Sequence, residues 1–392
     1  MKHYPYLIVG GGMTADAAAR AIREFDPTAA LGLISAESHP PYARPPLSKG
    51  LWKGDPESTI WRGTENIGVD LQLGRRVTAI DPVRKIVIDD RGHPVTYGKL
   101  LLATGGTPRR LSLDSQQIIY FRTYDDYRRL RTLATERLRF LVVGGGFIGT
   151  EIAAALKSAG RDVVMLVPEN GLGARVFPAD LSRFLLGYYR NQGVDVRTGE
   201  RIASLVPAAG KVVVKSTTGH EFSADVIVAG LGILPNVDLA ERAGLRVDNG
   251  IVVDELLRTS VPDIFAAGDV ANFFNPALGM RMRVEHEDNA NTMGAAAGRA
   301  MAGHGEPCTH LPFFYSDLFS LGYEAVGELD PRFETLADWK EPFREGVVYY
   351  LKDGRVRGVL LWNVWGQVDA ARKLIGEPGL FSPQSLKGRL AA

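Results

Sequence analysis

The sequence predicts an α/β chain made of two doubly wound units of one design, followed by a smaller α+β unit. Three observations carry that expectation. A strand, a glycine turn and a helix can be read from Tyr6 to Glu37, the same pattern returns from Phe140, and the composition shifts to aromatics and short strands after about Cys308. With 392 residues the chain has room for two or three separate cores.

The first unit opens on the apolar run Tyr6-Leu7-Ile8-Val9, breaks into Gly10-Gly11-Gly12 and continues from Met13 into an alanine-rich segment with helical spacing. A second apolar run, Leu31 to Ser35, follows, with Glu37 just past its end. This is G-x-G-x-x-G/A with a distal acid, a pattern that asks for a dinucleotide. Gly10 suits the tight turn, Gly12 offers bare backbone to a pyrophosphate, and Ala15, beside Thr14, lets the helix pack on the strand. The free N–H groups and positive dipole end of the helix face the phosphates, and Glu37 can accept from a ribose. The four prolines between His39 and Lys49 stiffen the next loop and fix Arg44 and Lys49 over the cofactor. A meander over Val77–Ile80, Lys85–Ile88 and Val95–Tyr97 comes next. The strand Leu100–Leu102 then ends in the small residues Ala103-Thr104-Gly105, which permit another close backbone approach.

Phe140 to Gly149 repeats the strand and turn with all three glycines, Gly144, Gly146 and Gly149, around Phe147 and Ile148. A helix over Glu151–Ala159 stops at Gly160, Val163–Val167 forms the following strand, and Glu169 stands past it as the second distal acid. A meander (Ile202–Val206, Lys211–Val214, Glu221–Phe222) and the small-residue exit Val228 to Gly232 complete this unit. Further on, Asp263 to Asp269 reads as a strand ending in Gly268-Asp269 at a helix start, which places a carboxylate and backbone amides on a ribityl chain and phosphate. The segment Arg283 to Ala290, containing Glu285 and His286, leads into a small-residue helix that returns to the first unit. Two Rossmann-like domains are therefore expected, over residues 1–112 with 235–307 and over 113–234, plus a C-terminal α+β domain over 308–392. In the last, Val347–Leu351 and Val356–Trp362 flank Asp353-Gly354 as a hairpin, with a helix over Asn363–Ile375.

The composition excludes several classes. At 45% hydrophobic and 23% charged it is that of a globular chain, and no apolar run is long enough to span a bilayer. The 46 basic and 45 acidic residues give no global attraction for nucleic acid. Cys308 is the only cysteine, so neither an internal disulfide nor a redox dithiol can form. No metal site is expected. The first strand begins within a few residues of Met1, which leaves no space for a signal segment and favours a cytoplasmic location.

Together these motifs resemble flavoproteins of the glutathione-reductase structural class, and within it the ferredoxin reductases and the apoptosis-inducing-factor-like NADH oxidoreductases. The resemblance rests on VGGGMTADAAAR from Val9, PYARPPLSK from Pro41, GGGFIGTE from Gly144, AAGD from Ala266, VEHEDNA from Val284 and FFYSDLFSLGYEAVGE from Phe313. It implies that the first fingerprint holds FAD and the second a nicotinamide nucleotide. Glu37 then binds the FAD ribose, Arg44 and Lys49 lie along FAD, and Asp269 holds the ribityl phosphate region. Lys49 approaches the flavin ring near N5 with Glu151 as its partner, Glu285 and His286 lie on the cofactor side with His286 near the ring, and Glu169 takes the NADH ribose, with Arg175 close by. Two positions depart from the oxygenase-serving reductases: Glu287 replaces a tryptophan, and Tyr315-Ser316-Asp317 replaces Trp-Ser-Asp.

The implied activity is hydride transfer from nicotinamide to flavin, followed by electron export. A one-electron protein acceptor would meet a flavin edge walled by aromatics such as Phe314 and Tyr315. The leading expectation is an NADH-dependent reductase of a small iron–sulfur or other electron-carrier protein, working as a monomer or homodimer. An oxidase or reductase of quinones or small oxidants, and a non-catalytic NADH-responsive redox sensor, are the alternatives.

Overall fold

The computed structural model describes residues 1–113, 115–208 and 210–390. The chain forms two compact units. One comprises Met1–Arg44, Pro56–Thr107 and Leu234–Phe313, and the other Pro45–Asp55, Pro108–Ile233 and Phe314–Ala392. The proline-rich stretch behaves differently from its reading in sequence: Pro45–Asp55 packs with the second unit. Its apolar side chains explain this, since Leu51 is buried and Trp52 meets the Tyr127 ring edge-on at 6.1 Å.

The first unit is built on a sheet ordered Val69–Gln72, Leu31–Ile34, Lys2–Val9, Pro94–Leu102, Ile86–Asp89, Val77–Asp81, with Ile264–Ala266 also paired to Pro94–Leu102. Its central strands run parallel, with Leu7 opposite Leu100 and Val9 opposite Leu102. Strands covered on both faces read as unbroken apolar runs, which is why Tyr6–Val9 and Leu100–Leu102 stand out in the sequence. Val95–Tyr97 and Leu100–Leu102, read separately in the sequence, are one strand. Gly98 between them is a close approach, because a Cβ there would come 2.7 Å from the Pro5 carbonyl oxygen.

Helix Met13–Phe25 connects the first two strands, and helix Glu287–Met301 lies against it. The contact depends on two glycines one turn apart. A Cβ at Gly294 would fall 2.4 Å from the Thr14 carbonyl oxygen, and one at Gly298 would fall 2.4 Å from that of Ala18.

The second unit repeats the plan with an all-parallel sheet ordered Asp195–Thr198, Asp162–Val167, Arg139–Val143, Val226–Ala229, Ile118–Tyr120. Its helix, Phe147–Ser158, begins a turn earlier than the sequence suggests because Gly146 already occupies the N-cap. The expected meander is present as Ile202–Ala208, Lys211–Ser216 and Glu221–Ala224. A five-stranded C-terminal sheet follows, ordered Phe313–Leu318, Leu321–Gly327, Arg355–Trp362, Glu345–Lys352, Glu334–Glu341. Its hairpin turns on Asp353 and Gly354, both at positive φ (52° and 71°). The last long helix spans Val368–Gly376, starting later than Asn363. Asn363 instead anchors a loop at φ 52°, where its side chain accepts from the Gly322 amide at 2.7 Å and donates to the Arg344 carbonyl at 2.8 Å.

Because the groups facing Gly298 are the Ala18 backbone and the Ala21 methyl, neither of which can swing aside, Gly298→Leu should push the two helices apart and cost about 1–3 kcal/mol of stability. Urea denaturation of the purified variant measures this, and an unchanged midpoint would show that the helices are not held at glycine distance.

Candidate functional site

At the C-terminal end of the first unit's central strands, the backbone makes a cradle. Gly10 has φ 120°, and a Cβ there would lie 2.1 Å from the Ala103 carbonyl oxygen, so the two strand ends meet without side chains between them. Gly12 is the N-cap of the following helix, makes no side-chain cap, and faces open space where a Cβ would point. The Ala15 amide turns back to the Gly12 carbonyl at 3.1 Å, and the uncapped helix end offers its backbone to an outside acceptor. Thr14 and Ala15 are buried beneath the turn, and Gly268, at φ 76°, seats against the Thr14 hydroxyl, which brings the Gly268-Asp269 turn to the same helix end. That turn is a three-residue 3-10 element, Gly268–Val270, and not the longer helix its position suggested. Thr104 is bound from both sides by Asn236: its hydroxyl donates to the Asn236 carbonyl (2.9 Å), and its own carbonyl accepts from the Asn236 amide (2.7 Å). Gly105 adopts φ 61° beside it.

Around this cradle the charged residues are already paired. Glu37 accepts from the Tyr42 hydroxyl at 2.6 Å and forms an ion pair with Arg44, whose guanidinium also donates to Tyr42 at 3.1 Å. Burial pulls the Arg44 pKa down, but Glu37, Tyr42 and Asp269 outweigh it and leave the guanidinium more basic than usual. Arg283 donates to the Asp269 carbonyl at 3.1 Å and pairs with Glu285 at 2.6 Å. His286 occupies the N-cap of the helix Glu287–Met301.

The second unit carries the matching cradle. A Cβ on Gly144 (φ 109°) would lie 2.4 Å from the Gly230 carbonyl oxygen, and one on Gly149 would lie 2.0 Å from that of Gly144. Gly146, again an N-cap without side-chain cap, faces open space. Gly232 (φ 78°) lies beyond the opposite strand, Ile148 is exposed, and the Phe147 ring packs on Phe314 at 5.2 Å between centroids. Glu169 pairs with Arg175 at 2.6 Å, with Arg175 itself largely in solvent.

The same unit buries a charge network around Glu151. Glu151, on the helix Phe147–Ser158, is 3% exposed and accepts three bonds. The Lys49 ammonium (2.8 Å) and the Ser48 hydroxyl (2.5 Å) reach Oε2, and the Ser316 hydroxyl (2.5 Å) reaches Oε1. Lys49 also stands 5.2 Å over the Tyr315 ring, a cation–π contact. Burial first, and then the Glu151 charge, raise the Tyr189 and Tyr323 phenols well above their usual pKa. Lys49 and Glu151 thus meet within one unit, whereas His286 belongs to the other. Sequence reading missed Ser48, Ser316, Tyr42, Asn236 and Arg283. The two serines lie inside motifs already singled out, but nothing in their spacing points their hydroxyls at Glu151.

Two glycine cradles, each at the helix end of a doubly wound parallel sheet, define a protein of the class that binds two dinucleotides, and the open backbone at Gly12 and Gly146 fits the diphosphates of FAD and NAD(H). The chain belongs to the pyridine nucleotide-disulphide oxidoreductase family, whose model matches residues 4–294. A second model, the C-terminal region of apoptosis-inducing factor, matches residues 337–377. The chain is 35% identical to the ferredoxin–NAD(+) reductase component of the anthranilate 1,2-dioxygenase system of Burkholderia cepacia, over 98% of this chain and 97% of that one. It is 34% identical to apoptosis-inducing factor 1 of Dictyostelium discoideum, over 96% and 79%. The crystal structure of the covalent putidaredoxin reductase–putidaredoxin complex superposes with a TM-score of 0.91 at 30% identity, covering 98% of this chain and 95% of that one. The chain is thus an FAD- and NAD(H)-dependent oxidoreductase. With Cys308 as its single cysteine it has no dithiol through which electrons could pass.

With the nucleotide's ribose at Glu169, as the second fingerprint implies, the carboxylate would repel a 2′-phosphate, so kcat/KM should favour NADH over NADPH. Glu169→Ala should narrow the gap and Arg175→Ala should widen it, each by roughly tenfold. Equal use of the two nucleotides by the wild-type protein would overturn this assignment.

Proposed function

We propose that this chain is an NADH-dependent reductase of a small electron-carrier protein, an iron–sulfur protein foremost. The observation that carries the reading is the buried Glu151 bonded to Lys49, a charge pair of the kind needed beside a redox cofactor, in a chain whose relatives include named ferredoxin– and rubredoxin–NAD(+) reductases. FAD, when bound, accepts a hydride from a nicotinamide and releases electrons one or two at a time. Gly10, Gly12, Thr14, Ala15, Glu37, Arg44, Ala103 to Gly105, Gly268 and Asp269 would hold it. Gly144, Gly146, Phe147, Ile148, Gly149, Glu169 and Gly232 would hold the nicotinamide nucleotide. Glu285 and His286 are assigned to the cofactor side of the first unit.

The protein's own contribution is positional and electrostatic. Glu151 fixes the Lys49 ammonium, and Tyr315 supports it from below, so that a positive charge is presented in a site largely cleared of water. A fixed cation stabilises an electron-rich partner more strongly there than in solution. The division into an FAD domain (1–112 and 235–307), an NAD(H) domain (113–234) and a C-terminal domain (308–392), the cytoplasmic location, and a monomeric or homodimeric state belong to the same proposal. A second reading, an NADH oxidase or NADH-responsive sensor akin to apoptosis-inducing factor, is favoured by the match of residues 337–377. A stopped-flow survey of acceptors separates the two. Fast reoxidation by a carrier protein supports the first, whereas fast reoxidation only by oxygen or quinone, or slow reoxidation by all, supports the second.

The purified protein should be yellow with about one FAD per chain, and Asp269→Ala should lose FAD more readily on dialysis. A colourless protein that could not be reconstituted with FAD would remove the basis of this reading.

Lys49→Ala should slow reduction of the bound FAD by NADH and lower its potential, with FAD content unchanged. Combined with Glu151→Ala, the loss should fall short of the sum by about 0.5–3 kcal/mol, because either change already breaks the pair. Additive effects, or a Lys49 variant reduced at the wild-type rate, would exclude the pair from the mechanism.

A further inference from the structure

Lys49 is held by Glu151, and the structure also shows what holds Glu151. Glu151 is 3% exposed, so water is not its solvent; Lys49 balances its charge, and two serine hydroxyls supply further hydrogen bonds. These come from different parts of the second unit. Ser48 and Lys49 lie on the turn that follows the proline loop, and Ser316 lies on the strand Phe313–Leu318 of the C-terminal sheet. Oε2 carries both Lys49 and Ser48, whereas Oε1 is reached by Ser316. Both serines are themselves buried, at 6% and 0% exposure, so neither hydroxyl is engaged by bulk water.

We propose that Ser48 and Ser316 are positioning residues for the reaction: they keep Glu151 ionised and aimed at Lys49, and so set the acid limb of NADH-driven turnover. The physical reason is that a buried carboxylate binds a proton more readily as its hydrogen-bond donors are withdrawn. Once protonated, Glu151 no longer balances the ammonium, and Lys49 loses the partner that fixes it. The other groups facing Glu151 do not compete for this role. Tyr189, from the helix Ala179–Asn191, donates its hydroxyl to the Thr150 carbonyl, and Tyr323, on the strand Leu321–Gly327, hydrogen-bonds with Ser316 beside that serine's bond to Glu151. Both phenols are held neutral through the working range by burial and by Glu151 itself. Asp317, next to Ser316, is engaged by Lys53 at 2.6 Å. The two serines are the neutral donors that tune the pair.

This inference rests on the proposed role of Lys49 and Glu151, and the experiment separates the two. In the FAD-loaded protein, Ser316→Ala and Ser48→Ala should each shift the acid limb of NADH turnover upward by about one pH unit, a roughly tenfold gain in proton affinity. The infrared band of a protonated carboxyl, assigned by its loss in Glu151→Gln, should titrate upward by the same amount. Ser316→Thr and Ser48→Thr, which keep the hydroxyl, should restore both readouts. If one alanine variant fails to retain FAD, the other carries the test, since the two serines reach different oxygens. An unmoved carboxyl band in the alanine variants overturns the proposal, as does a shift that threonine fails to reverse. A band that moves while the turnover limb stays fixed leaves the serines' hold on Glu151 intact and overturns the proposed role of the Lys49–Glu151 pair.

Discussion

A carboxylate as deeply enclosed as Glu151 survives as an ion only if the surrounding protein replaces water donor for donor. That requirement constrains much of the second unit. It obliges the turn after the proline loop to present both Ser48 and Lys49, and the C-terminal sheet to present Ser316, at hydrogen-bond distance from one helix. The network therefore does structural and electrostatic work together: the bonds that join three remote stretches of sequence also fix an ammonium in place. A buried ion pair is weak evidence for stability, and its better-supported use is to specify one arrangement of charge.

The two cradles make the complementary point, since their chemistry lies in what is missing. Gly10 and Gly144 let two strand ends approach backbone to backbone, while Gly12 and Gly146 leave open the space in front of helix amides that no side chain caps. The first kind of glycine serves packing, and the second leaves backbone open to an outside group. Both sites then receive an acid beyond the next strand, but the structure treats the acids differently. Glu37 is clasped by Tyr42 and Arg44 within the half-buried loop, and Glu169 leans on an Arg175 that is largely in solvent.

Much of this was legible in the sequence because it depends on short-range rules. Apolar runs buried on both faces mark the parallel strands, three glycines mark each turn, and Asp353-Gly354 marks the hairpin. The errors arose where longer-range contact decided. Gly98 falls between two runs read separately and is a close approach to Pro5 on the neighbouring parallel strand, and Asn363 reads as the start of a helix and is a loop anchor fixed by Gly322 and Arg344. Pro45–Asp55 follows the first fingerprint in sequence, yet the burial of Leu51 and the contact of Trp52 with Tyr127 take it into the second unit. The pairing of Lys49 with Glu151 was expected from resemblance alone. The serines that complete it were hidden because a hydroxyl's target cannot be read from its neighbours in the chain.

The glycine-lined contact between the helices Met13–Phe25 and Glu287–Met301 has a consequence for how the chain is made. The strand Ile264–Ala266 and the second of these helices supply parts of the first unit's core, and they are synthesised only after the whole segment Pro108–Ile233. When the first 107 residues leave the ribosome, the face of helix Met13–Phe25 carrying Thr14 and Ala18 has no partner, and the sheet lacks a strand beside Leu100–Leu102. The parallel sheet of the second unit can pair within Pro108–Ile233 before that gap closes. Completing the first unit requires closing a loop of well over a hundred residues, a slow and aggregation-exposed step. The first unit thus starts first but cannot be completed until Phe313 has been made, and the second unit's Phe314–Ala392 follows last.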